Sequence, residues 1–69
     1  MPIVYGRNPV KELIASEKTI NKIYIQKGLK ELFDIKKEAI NKKIVVVDSD
    51  KYKLDKLSEN KPHQGIVAA

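Results

Sequence analysis

Two stretches of this chain, IVVV at 44–47 and IVAA at 66–69, are apolar without interruption. A strand with one wet face alternates polar and apolar residues, so an unbroken run predicts a strand covered on both faces, in the interior of a sheet. Around these runs, strand and helix patterns alternate. PIVY at 2–5 is short and β-branched, and GRNP at 6–9 breaks it with a glycine and a helix start. Asn8 is the expected N-cap, with Pro9 at the first helical position, where its missing N–H costs nothing. Val10, Leu13 and Ile14 then form one stripe of a short helix ending near Ser16. KIYIQ at 22–26 alternates, placing Ile23 and Ile25 on one face and Tyr24 on the other. Leu29, Leu32, Phe33, Lys36, Ala39 and Ile40 trace a helical stripe over three turns, the longest helix expected, with the Lys36 stem covering apolar surface. DSD at 48–50 offers three candidate caps for one or two helical turns carrying Leu54 and Leu57, and a loop leads through Pro62 to the last run. Strands alternating with helices define an α/β domain, with 44–47 and 66–69 expected at its centre.

The 69 residues make one domain, 1–69, without linker, repeat or low-complexity tract. A domain of this size buries only about 60% of the surface its unfolded chain exposes. A chain that stops on a core strand reads as a domain cut from something longer. There is no cysteine, so neither a disulfide nor a thiolate metal site reinforces the core, and a reducing, cytoplasmic setting is expected. No segment approaches the roughly 20 apolar residues of a membrane span, and the start lacks a secretion pattern. Fourteen basic residues against nine acidic give a net charge of +5, which favours a polyanionic partner. Tyr5, Tyr24, Phe33 and Tyr52 are the only aromatic residues, a poor supply for a base-stacking platform, so charge and shape must carry most of the binding.

The residues assemble no catalytic centre. Gly6, Gly28 and Gly65 stand far apart, so no glycine-rich phosphate cradle is present. His63, the one histidine, falls short of a transition-metal ligand set even with Glu59 beside it. Asp48 and Asp50 sit where helix caps belong, and nothing combines a nucleophile, its base and an oxyanion site.

Taken in order, IVYGRNPVKELI, KIYIQKG and IVVVDSDKYKLDKLSENKPHQGIVA resemble the N-terminal substrate-binding domain of the SpoU (TrmH) family of RNA 2'-O-ribose methyltransferases. The match runs from Tyr5 to Ala69 in the family's order and spacing, and YGRNPV, LDKLS and HQGIVA carry it together. The resemblance implies a small α/β/α sandwich with a mixed four-stranded sheet, like that of the kink-turn-binding ribosomal proteins. It also implies a domain that grips structured RNA, ribosomal or transfer. In the family a C-terminal knotted domain binds S-adenosylmethionine and performs the transfer, and the full-length enzyme is expected to be a homodimer. The isolated chain is therefore expected to hold no cofactor and no metal and to methylate nothing.

The matched motifs set Gly6, Arg7 and Asn8 at the end of the first strand and His63, Gln64 and Gly65 at the start of the last. Arg7, the only arginine, can fork onto phosphate. Asn8 and Gln64 can meet base edges or 2'-hydroxyls, and His63 can donate or stack. Each has a structural alternative: Asn8 as a cap, His63 and Gln64 as ties within their loop, Gly6 and Gly65 as backbone geometry. Lys27 is the first of a diffuse phosphate footprint with Lys30, Lys51 and Lys53. A free-standing RNA-binding protein of the ribosomal kink-turn type, or a protein-interaction element, would share these features. A following domain of about 150 residues would separate the first reading from both.

Overall fold

The computed structural model describes residues 3–16 and 18–69. Eight elements follow one another: β1 (Val4–Tyr5), α1 (Arg7–Ala15), β2 (Lys22–Gln26), a 3₁₀ turn (Lys30–Leu32), α2 (Phe33–Asn41), β3 (Val45–Ser49), α3 (Lys51–Leu57) and β4 (Ile66–Ala68). The four strands form one mixed sheet in the order β1-β4-β2-β3. β4 runs antiparallel to both of its neighbours, and β2 and β3 are parallel. This is the mixed four-stranded α/β sheet that the resemblance implies.

Strand parity decides which residues face which helices. Ile25 pairs with Ile66 and Ile23 with Ala68, and these four are buried with Val10 and Ile14 of α1 and Leu32, Ile35 and Ala39 of the α2 segment. The opposite face carries Tyr5, Val67 and Tyr24 side by side, and α3 covers it in part: Lys53 lies over the Tyr24 ring, 5.2 Å from its centroid. β4 is buried along its whole length, as its unbroken apolar run predicts.

Three expectations are corrected. β3 is an edge strand, not a central one, because β4 inserts between β1 and β2 and leaves β3 paired to β2 alone. Its run is apolar because Val46 packs into the core while Val45, 55% exposed, lies at the open edge. Along α2 the expected stripe holds at Leu32 and Ala39, which are buried, but Phe33 and Ile40 are 73% and 55% exposed and Ile35 is buried in their place. The first turn explains this, since three 3₁₀ residues advance about 120° each rather than the 100° of an α-helix and rotate the rest of the helix by roughly 60°. α2 alone equals α1 at nine residues and is the longer only with its 3₁₀ turn. Finally, Asn8 is not the N-cap. Gly6 holds that position at φ 95° and ψ 154°, a conformation open to glycine, so the helix begins at Arg7 and Pro9 falls within its first turn. The α3 cap is as expected: Asp50 accepts from Lys53 N–H at 2.8 Å.

Candidate functional site

With β1, β2 and β3 all parallel to one another, their C-terminal ends and the N-terminal end of β4 meet at a single edge of the sheet. Residues far apart in sequence are joined there. The Arg7 N–H donates to Gln64 Oε1 at 2.9 Å, across 57 positions. Gly6 N–H donates to the Ile66 carbonyl at 3.1 Å, Gln26 N–H to the Gly65 carbonyl at 2.8 Å, and Lys27 N–H to the Ser49 carbonyl at 3.2 Å. The Gln64 side chain thus satisfies the first helical N–H of α1, that of Arg7, while the glycine at the cap position brings no side chain to the helix start.

The segment before β4 is a tight turn. Ile66 N–H donates to the His63 carbonyl at 3.1 Å, and both central residues, Gln64 at φ 55° and Gly65 at φ 86°, lie in the left-handed region, the pattern of a type I′ turn. Such a conformation is strained for glutamine and persists only where its surroundings over-determine it. His63 does this. Its ring is buried, 6% exposed; Gly65 N–H donates to Nδ1 at 2.8 Å, so the ring proton resides on Nε2 and is donated to Asp55 Oδ1 at 2.6 Å. Asp55 is anchored in α3, so the turn is clamped to that helix. His63 therefore has both ring nitrogens engaged inside the protein, and its part at the edge is to hold the turn.

The sequence-derived candidates Arg7, Asn8, Lys27, His63 and Gln64 all gather here, and Lys51 joins them at the start of α3, its Nζ 3.9 Å from Asp55 Oδ2. Arg7, Lys51, Asp55, Lys61 and Gln64, with Leu29 and Pro62 as apolar walls, line an open cleft of about 430 Å³. Lys30 lies beyond it, exposed, at the 3₁₀ turn. Lys53 does not belong to this edge, being drawn across the sheet face over Tyr24. Among the described residues, two buried side-chain atoms find no protein partner, Arg7 Nε and Ser49 Oγ, and both residues stand at this end of the sheet. Asp55 was not legible as a site residue: between Leu54 and Lys56 it reads as ordinary helix surface, and the only available signal was that the single histidine would need a partner.

The comparisons with known proteins converge on one family. The family model for RNA 2'-O ribose methyltransferase substrate binding matches residues 3–69. Proteins named as TrmH family tRNA/rRNA methyltransferases are similar over 68 residues, 96% of this chain: 46% identical in Staphylococcus haemolyticus, 47% in Staphylococcus epidermidis and 44% in Staphylococcus aureus. The chain spans 27% of the length of these curated relatives. The resemblance seen in YGRNPV, LDKLS and HQGIVA thus holds over nearly the whole sequence, and the chain belongs to the substrate-binding domain family of RNA 2'-O ribose methyltransferases.

Proposed function

We propose that this domain recognises structured ribosomal or transfer RNA for an S-adenosylmethionine-dependent 2'-O-ribose methyltransferase, and that it does so along the sheet edge where both ends of the chain meet. Arg7, Asn8, Lys27 and Gln64 touch the RNA, and His63 acts behind them by fixing the turn that carries Gln64. The observation that carries this reading is the Arg7–Gln64 hydrogen bond, which places the only arginine beside an amide at the mouth of a basic cleft. Guanidinium and amide groups suit phosphate and base edges, and loops at strand ends are where α/β sheets bind ligands. The net charge of +5 favours the same partner.

The chemistry belongs to a separate catalytic domain in this proposal, and the much greater length of the relatives leaves room for one. Gly65, the glycine in the cleft, offers S-adenosylmethionine no open side, since a Cβ there would stand 2.5 Å from Leu29 Cδ1. The full-length enzyme works as a homodimer in a reducing cytoplasm on this reading. The test is titration of structured RNA against the 69-residue chain. Arg7→Ala should lower affinity by about 1 to 2 kcal/mol. Unaltered affinity in that variant, or no RNA binding by the parent chain, would overturn the proposal.

A further inference from the structure

Among the residues that line the cleft beside Arg7, Lys51 and Lys61, one carries a carboxylate, Asp55. By charge alone it opposes a polyanion, since it repels phosphate and its Oδ2, 3.9 Å from Lys51 Nζ, offsets a neighbouring cation. Its Oδ1 does something else. A neutral imidazole carries its proton on either nitrogen, and the partner of one nitrogen decides the chemistry of the other. An ionised carboxylate only accepts, so Asp55 Oδ1 at 2.6 Å keeps the proton on His63 Nε2 and leaves Nδ1 to accept Gly65 N–H at 2.8 Å. With the proton on Nδ1, two buried N–H groups would face each other without an acceptor. Gly65 N–H closes the turn in which Gln64 stands at φ 55°, and Gln64 Oε1 receives Arg7 N–H at 2.9 Å. One line of hydrogen bonds therefore runs from α3 through the turn to the start of α1.

We propose that Asp55 is a positioning residue for RNA binding: acting through the His63 ring, it holds Gln64 and Arg7 in the arrangement that meets RNA. This contribution outweighs the repulsion of its charge. The Asp55 side chain is 35% exposed, so solvent and salt screen its field, whereas the buried His63 ring cannot fully replace a lost partner with water. The inference rests on the RNA-binding reading and adds to it a residue that acts without touching the RNA. The two effects of Asp55 have opposite signs. Charge alone makes its removal tighten RNA binding, and lost positioning makes its removal weaken it. Asparagine keeps an oxygen that accepts Nε2–H and drops the charge, so Asp55→Asn separates the two.

The test is a double-mutant cycle in the 69-residue chain, titrated with protein-free ribosomal RNA and with transfer RNA, and joined to amide hydrogen exchange of the free protein. Asp55→Ala should weaken RNA binding about five-fold, although it makes the protein more basic. Asp55→Asn should bind at least as tightly as the parent. In a Gln64→Ala background Asp55→Ala should weaken nothing further, because the group it positions is already gone. Without RNA, the Gly65 and Arg7 amides should exchange about ten-fold faster in Asp55→Ala and near the parent rate in Asp55→Asn. Asp55→Leu, close to aspartate in shape, repeats both measurements if the alanine variant fails to fold. Binding that is unchanged or tighter in Asp55→Ala, equal losses in the alanine and asparagine variants, or losses that add to that of Gln64→Ala would each remove the positioning role and leave the RNA-binding reading standing. A parent chain that binds neither RNA removes both.

Discussion

A Cβ on Gly65 would stand 2.5 Å from Leu29 Cδ1 and 3.2 Å from Leu32 Cδ1, on a backbone at φ 86°. Gly28 has nearly the same φ, 80°, but nothing within 4 Å of a Cβ. The pair separates two costs that usually travel together. Gly28→Ala should destabilise by about 1 kcal/mol, the cost of a left-handed residue with a side chain. Gly65→Ala should add about 1 to 3 kcal/mol of overpacking against the two leucines, read as the difference between denaturant midpoints. Equal effects would mean that Leu29 and Leu32 yield without cost. The sequence pointed to Gly65, His63 and Gln64 as a group but left their roles open, for a physical reason. Gln64 acts through Arg7, 57 positions away, and His63 through Asp55, eight positions away on another element. Neither spacing follows a helix or strand period, so no pattern could reveal it.

Elements were legible where one period governed them and misread where two forces competed. β2 alternates and is buried at Ile23 and Ile25; β4 is apolar throughout and buried throughout. β3 carries the same signature as β4 but ends at the edge, because composition reports how apolar a strand's surroundings are and not how many strands flank it. In the α2 segment Leu32 and Ala39 are buried as the stripe predicts, but with the 3₁₀ turn before it the helix buries Ile35 rather than Phe33 and Ile40, a shift invisible without the turn's geometry. The two outcomes can be checked together by thermal unfolding. Ile66→Ala, in a side chain with no exposure at the centre of the sheet, should cost on the order of 2 to 4 kcal/mol. Phe33→Ala should stay within about 0.5 kcal/mol of the parent despite the larger side chain removed. A large loss at Phe33 would show that the face of α2 it occupies is covered.

At the scale of the whole molecule the question is whether the positive charge acts as a field or through one edge. The molecule measures 27 × 27 × 18 Å, so a Debye length of about 8 Å at physiological salt lets charges on one side act nearly independently of those on the other. Of the fourteen basic residues, Arg7, Lys27, Lys30, Lys51 and Lys61 stand at or beside the site edge, whereas Lys37 lies on the outer side of α2 with Phe33 and Ile40. Releasing about 0.7 to 0.9 counterions per neutralised phosphate, a footprint of three to five contacts predicts a log–log slope of affinity against salt of about −2 to −4.5. Because each contact contributes separately, Arg7→Ala should flatten that slope by about one unit. Lys37→Ala removes the same formal charge from the same small molecule and should leave both slope and affinity unchanged. A field spread over the whole surface would respond to net charge alone, and the two variants would then weaken RNA binding equally; that result in a salt titration would dismiss the edge as the binding surface, whatever the family.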